Sequence, residues 1–171
     1  MKSLLSRWAR QMDSISVFIG YACIVPYFAC IALSVYEVVM RYALGAPTQW
    51  TFEVLMVLCA TSWVLSSGLV TQRHRHIAIT MLETIVSEKT WRLMTLIQQI
   101  AALLAIGVLI WATWHPAVEA FAMMERSGSA FNAPTPTYLK SALVVGAILY
   151  FLQLIANIVH WFDDCEVQGQ D

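Results

Sequence analysis

The chain has 171 residues, of which 59% are hydrophobic and 12% charged, and its formal net charge is −1. Soluble domains carry about 25% charged and about 45–50% apolar residues, so this composition argues strongly against a soluble globular enzyme. The small net charge provides no basic field for nucleic acid. The four cysteines form no CxxC pair, so neither a zinc site nor a disulfide framework is indicated.

Four stretches of the chain lack Asp, Glu, Lys and Arg. They cover Ser14–Tyr36, Val54–Gln72, Leu93–Pro116 and Ser141–Phe162. A helix crosses the hydrocarbon core with about 20 predominantly apolar residues, and no strand-like alternation indicates a barrel. The sequence therefore predicts an all-α membrane protein with a single integral-membrane domain over residues 1–171. The four transmembrane helices are expected at about 14–42, 51–72, 91–116 (with a continuation to 126 also compatible) and 136–162.

The positive residues predict the orientation of these helices. An even number of spans places both termini on one side, together with the loop between spans 2 and 3, and that side holds seven of the ten Lys and Arg residues. Because Lys and Arg concentrate on the cytoplasmic side, both termini are expected in the cytoplasm, in a bacterial inner membrane. Residues 1–13 combine Leu4, Leu5 and Trp8 with Arg7 and Arg10, which is typical of a short helix on the membrane surface.

The loop between spans 2 and 3 contains two recognisable patterns. Thr80 and Glu83 form a capping box before apolar residues at helical spacing, which predicts a short amphipathic helix along the cytoplasmic face. Ser87 then has the position of an N-cap for the third span. The residues that precede this helix form a basic cluster, which is expected to face lipid headgroups rather than a metal ion. The cluster consists of Arg73, His74, Arg75 and His76.

Two of the spans carry small or polar residues in helical register. In span 1 these are Ser16, Gly20, Cys23, Tyr27, Cys30, Ser34, Glu37 and Arg41. In span 4 they are Ala142, Gly146, Tyr150, Gln153, Asn157 and His160. Such stripes fit either helix packing or a solute pathway, and packing is favoured because neither stripe carries a charge at mid-membrane. The sequence thus predicts a bundle without a buried charge.

The positions of the histidines and the catalytic motifs indicate whether a cofactor or an enzyme activity is to be expected. His115 and His160 are expected at opposite ends of their spans, so they cannot bracket one haem. The chain contains no HExxH, GxSxG, P-loop or dinucleotide motif, so we expect no enzyme activity and no cofactor. Two alternative functions remain open. The chain could be an accessory subunit of a membrane redox complex, with a haem or quinone near His74, His76 and His160, or a free-standing small exporter.

A set of short motifs resembles one known family. The motifs are Arg41-Tyr42, Pro47, Trp50-x-x-Glu53, Gly68, His76-Ile77 and Pro136-x-x-x-Lys140. Together with the length and the number of spans, they look like the small membrane subunit, of the DctQ type, of tripartite ATP-independent periplasmic (TRAP) transporters. Where that family often carries an acidic residue shortly after His-Ile, this chain has Thr80.

The resemblance implies a function that the residues alone do not show. In this family a periplasmic substrate-binding protein delivers an organic-acid anion, such as a dicarboxylate or sialic acid, to a large membrane subunit that imports it with sodium ions. The small subunit braces the large one and binds neither solute nor sodium. On this basis Glu37, Arg41, Trp50 and Glu53 are expected to form an outer cluster that fixes the first loop. The cluster would contact the large subunit or the binding protein, and Trp50 is equally typical of a headgroup anchor.

Overall fold

The computed structural model of the protein describes residues 2–72 and 87–168, and these residues contain helices but no strand. The elements are α1 (Lys2–Ala22), α2 (Ile24–Val38) with a π-helical segment (Val39–Ala43), α3 (Thr51–Gln72), α4 (Glu88–Met123) and α5 (Thr135–Gln168). Within the described residues, four stretches are long and apolar enough to cross a membrane, as predicted. These are Leu4–Ala43, Thr51–Gln72, Thr90–Met123 and Thr135–Asp163.

The first span is nearly one continuous helix. Helices α1 and α2 meet at Cys23, whose N–H still bonds to the Ile19 carbonyl at 3.0 Å. Pro26 explains the irregularity at this point, because it lacks the N–H that would bond to the Ala22 carbonyl. The segment expected as a separate surface helix, residues 1–13, is not separate: α1 runs without interruption from Lys2 into the span.

Helix α4 has a clear start and a clear end. The Ser87 side chain accepts a hydrogen bond from the Thr90 N–H, as the predicted N-cap. The helix continues through Pro116 and ends where Met124 adopts a left-handed conformation, with a φ of 47°. The predicted amphipathic helix at residues 80–86 lies outside the described residues, as does the basic cluster of Arg73, His74, Arg75 and His76.

Helix α5 is the central element of the bundle. It packs against α1, α3 and α4, whereas α4 contacts α5 alone among the described elements. Small residues bring the backbones together: a Cβ added to Gly146 would lie 2.0 Å from Cγ1 of Val64, and one added to Gly20 would lie 2.5 Å from the Leu69 side chain. Close approach at glycine is a common mode of packing between membrane helices, where dispersion and hydrogen bonds replace the hydrophobic driving force.

Candidate docking site at the loop end

The two loops that cover residues 44–50 and 124–134 lie at the same end of the bundle, which we call the loop end. The opposite end, where α1 begins and α5 finishes, is the termini end. Each of the two loops is held by one carboxylate, Glu37 for the first and Glu53 for the second. These two carboxylates define the candidate site.

Glu37 fixes the first loop through bonds to both sides of it. Its Oε1 accepts from Arg41 Nη2 at 2.7 Å and from Nε at 3.2 Å, an ion pair across one helical turn. Its Oε2 accepts from the Thr48 N–H at 3.3 Å and from the Thr48 hydroxyl, which also contacts the Thr51 hydroxyl. Glu37 therefore ties the end of span 1 to the start of α3, and the pairing with Arg41 is intramolecular.

The outer surface of this first loop is aromatic and basic. The Trp50 ring packs against Tyr36 with 6.1 Å between ring centroids and is half-buried. The side chain of Arg41 keeps 53% of its surface exposed although it is paired with Glu37. Tyr42 follows it with 79% exposure. An ordered, exposed guanidinium beside aromatic rings is the composition that protein interfaces favour.

Glu53 is the buried carboxylate of the site, with 4% exposure. One oxygen accepts from the Ser127 hydroxyl at 2.7 Å and from the Ser129 hydroxyl. The other accepts from the Ala133 N–H at 3.2 Å and from the Thr135 hydroxyl at 2.8 Å. Glu53 also lies in the first turn of α3, where the free N–H groups and the helix dipole favour a negative charge.

The second loop has the backbone conformation that this carboxylate requires. Gly128 and Asn132 both adopt positive φ, 68° and 54°, which turns the chain twice around the Glu53 side chain. Asn132 supports the turn, because its Oδ1 accepts from the Gly128 N–H at 3.3 Å and its carbonyl accepts from Arg126 at 2.9 Å. Lys140 pairs with Glu125 beside the loop. The result is an ordered loop folded around one buried charge.

The four residues expected to form one outer cluster thus occupy two centres. Glu37, Arg41 and Trp50 lie around the first loop, and Glu53 binds the second loop through contacts that the sequence reasoning missed. The sequence did contain a signal for these contacts. Several Ser and Thr residues lie between 127 and 137, and a single acidic residue lies in the first turn of span 2. The expectation of a bundle without a buried charge was wrong, since Glu53 is buried. Four hydrogen-bond donors compensate for the desolvation of its carboxylate.

A second polar network lies at the termini end, with Gln153 at its centre. Gln153 is fully buried. Its Oε1 accepts from the Ser16 hydroxyl at 2.6 Å, and its Nε2 donates to Asp13 at 2.7 Å and to Asn157 at 3.0 Å. Asn157 in turn donates to the Thr71 carbonyl at 3.0 Å. These bonds join α1, α3 and α5. Ser16 and Gln153 bring the two polar stripes together at this end and serve helix packing, whereas the part of the first stripe in α2 packs against α3.

The two histidines in the described part of the chain, His115 and His160, each lie beside a carboxylate. His160 Nε2 lies 2.9 Å from Asp13 at the termini end, and His115 lies 3.4 Å from Glu119 on the exposed side of α4. The part of the chain that the structure describes contains no group of three or more His, Cys, Asp and Glu side chains that could hold a metal ion. His74 and His76 lie outside that part.

Together these features define a class: a four-span helical membrane protein whose loops and helices are fastened by internal polar bonds. The family model for the DctQ component of tripartite ATP-independent periplasmic transporters matches residues 30–164. This match covers most of the chain, and the protein belongs to that family, which comprises transporter components and not enzymes. No curated protein and no solved structure matches the chain.

Proposed function

We propose that this protein is the small scaffold subunit of a sodium-coupled, binding-protein-dependent TRAP transporter that imports an organic-acid anion such as a dicarboxylate or sialic acid. Its partners are the large membrane subunit, which carries solute and sodium, and a periplasmic substrate-binding protein. The complex lies in the bacterial inner membrane, and both termini of the small subunit are cytoplasmic. Membership of the DctQ family supports the assignment to such a complex.

The observation that carries the scaffold role is the use of buried polar side chains for internal bonds. Gln153 and Asn157 bond to neighbouring helices, and all four bonds to Glu53 come from its own chain. A solute pathway needs polar groups that can exchange a bond to protein for a bond to solute. Groups committed to interhelical bonds instead hold the bundle in one arrangement, which suits a fixed support.

Helix α4 is the surface that we assign to the large subunit. It packs against α5 alone among the described elements, so most of its circumference is open. Trp111 is 80% exposed and Leu104 is 66% exposed. They border an apolar groove of about 370 Å³ that also includes Gly107 and Phe151. A groove floored by glycine and flanked by large side chains accepts a partner helix at close range.

The loop end is the surface that we assign to contacts outside the membrane. Glu37 and Glu53 make both loops rigid, and a rigid loop loses little entropy when a partner binds. Arg41 presents an exposed charge that its ion pair with Glu37 holds in place. These residues therefore suit docking of the binding protein or of the outer part of the large subunit.

The first test is a tagged pull-down of the full chain from native membranes in mild detergent, with mass spectrometry of the proteins that co-elute. A larger multi-spanning protein in stoichiometric amount, in a sample without cofactor absorbance, is the expected result. A chain that elutes alone, or with haem or flavin subunits, would overturn the assignment and favour the exporter or the redox accessory subunit.

Two sets of variants then test the assigned surfaces. Gly107→Leu fills the groove on α4 and is expected to reduce co-elution of the large subunit, whereas Ala32→Leu on the exposed face of α2 serves as the control. Arg41→Ala and Glu53→Ala are expected to impair assembly or solute uptake. If both loop-end variants left assembly and uptake unchanged, the loop end would have no role in docking.

A further inference from the structure

The geometry points to a binding site for the phosphate of an anionic phospholipid at the termini end, between the guanidinium groups of Arg7 and Arg10. A shallow cavity of about 620 Å³, open over most of its extent, lies along the surface of the first half of α1. Its described lining consists of Arg7, Arg10, Gln11, Met12, Ser14 and Ile15. The occupant that we assign is a lipid with a net negative headgroup, such as phosphatidylglycerol, bound along the side of α1.

The position of the cavity along the bundle supports a lipid. Helix α3 has 22 residues, hence a length of about 33 Å, which is close to the thickness of a bilayer core of about 30 Å. Its last turn is level with Asp13, because Gln153 bonds to Asp13 and the adjacent Asn157 bonds to the Thr71 carbonyl. Residues 10 and 7 follow at about 4.5 and 9 Å beyond this level. The two arginines therefore lie in the headgroup layer.

The lining changes from basic to apolar in the direction that a lipid molecule requires. The arginines occupy the part furthest from the bundle centre, and Met12 and Ile15 occupy the part next to the span. The apolar part continues into lipid-facing surface, since Phe18 is 75% exposed one turn further along α1. A phosphate at the arginines would place its acyl chains against Met12 and Ile15.

The charges of the described lining favour an anion. Neither Arg7 nor Arg10 has an ion-pair partner among the described residues, and both are exposed. The nearest carboxylate on α1, Asp13, is not part of the described lining and is bonded to Gln153 and His160 instead. Arginines are well suited to phosphate, because the planar guanidinium donates two parallel hydrogen bonds.

The test measures thermal stabilisation of the purified transporter complex, or of the full chain if it elutes alone, by added lipid in detergent. Phosphatidylglycerol, phosphatidylcholine and inorganic phosphate are the three probes. Phosphatidylglycerol is expected to stabilise the wild type more than phosphatidylcholine, and inorganic phosphate is expected to have no effect. Arg7→Gln with Arg10→Gln should lower the apparent affinity for phosphatidylglycerol by about fivefold per arginine, the equivalent of about 1 kcal/mol each.

Two further double variants distinguish a specific lipid-binding site from a general effect of positive charge. Arg92→Gln with Arg126→Gln removes the same charge elsewhere on the chain and should keep the preference for phosphatidylglycerol. Arg7→Lys with Arg10→Lys keeps the charge in the cavity and should keep most of the preference. Equal stabilisation by both lipids, equal protection by inorganic phosphate, or equal losses in the Arg7/Arg10 and Arg92/Arg126 glutamine variants would overturn the assignment.

Discussion

The Thr135 hydroxyl donates a hydrogen bond of 2.8 Å to the Glu53 carboxylate, and so connects the first residue of α5 to the first turn of α3. The two residues are 82 positions apart in the chain. Both are buried, with 4% exposure each. This bond places the start of the central helix relative to α3, and the other donors to Glu53 shape the loop that leads into α5.

Loss of this bond is expected to destabilise the loop end. Thr135→Val removes the hydroxyl at nearly constant volume and should lower the free energy of unfolding by about 1.5–3 kcal/mol, because the acceptor is a carboxylate. Glu53→Gln should cost more, because it removes the negative charge that strengthens all four hydrogen bonds to this side chain. Thermal unfolding in detergent measures both changes.

The control for this prediction is Thr113→Val, since the Thr113 hydroxyl bonds only within α4, to the Leu109 and Ile110 carbonyls. Its stability should be within about 0.5 kcal/mol of wild type. If Thr113→Val and Thr135→Val had equal effects, the bond between Thr135 and Glu53 would contribute nothing specific.

Replacement of Gln153 is expected to weaken the packing of α1 against α5. Gln153→Leu removes three side-chain hydrogen bonds: two to α1, at Asp13 and Ser16, and one within α5, to Asn157. With about 0.6 kcal/mol for each such bond in a membrane, the loss should be about 2 kcal/mol. Unfolding in mixed micelles by increasing denaturant measures it.

Gln98→Leu is the matched control for this change, because Gln98 is exposed on α4. Its stability should stay close to that of wild type. A Gln153→Leu protein as stable as the Gln98→Leu protein would mean that the buried network does not hold the helices together.

Replacement by alanine should have opposite effects on stability at two glycines in helix interiors, Gly146 in α5 and Gly107 in α4. A Cβ at Gly146 would lie 2.0 Å from the Val64 side chain and 3.2 Å from its backbone carbon, so Gly146→Ala forces α3 and α5 apart. We expect a cost of about 1–3 kcal/mol. A Cβ at Gly107 would meet only Phe151, at 3.7 Å. Gly107→Ala should therefore be neutral or stabilising by up to about 1 kcal/mol.

The same thermal unfolding assay distinguishes these two variants. Equal stability of the Gly146→Ala and Gly107→Ala proteins would contradict the close contact between α3 and α5. The comparison is made on the chain purified alone, because Gly107 lines the groove assigned to the large subunit.

Oxidation is expected to link α2 to α3 through Cys30 and Cys59. Their sulfur atoms are 3.2 Å apart on adjacent helices. In a chain with Cys23→Ser and Cys165→Ser, copper phenanthroline should remove both remaining thiols and leave the protein monomeric on a non-reducing gel. Adding Cys59→Ala should leave the Cys30 thiol titratable. Intermolecular dimers in place of the internal link would contradict the pairing of α2 with α3.

Much of the fold was readable from the chain because the charges are absent from the middle of each span and lie near its ends or beyond them. Gaps without Asp, Glu, Lys and Arg indicated four spanning helices, and the small and polar stripes indicated the faces of α1 and α5 that pack. The Ser87 cap was predicted from the residue type and its position. The continuity of residues 2–13 with the span was not, because an amphipathic pattern is the same in a surface helix and in the extension of a long one.

The sequence by itself determined the class of protein, the number of spans and the helix faces, since these depend on local composition and on helical periodicity. Only the tertiary structure decided which polar residues meet. Glu53 binds a loop more than 70 residues away rather than joining Glu37, and Asp13 bonds to Gln153 and His160 across the bundle. These pairings depend on how helices distant in the chain are placed side by side, which no local pattern encodes. They arise because a buried polar group in a membrane must find its partner within the protein.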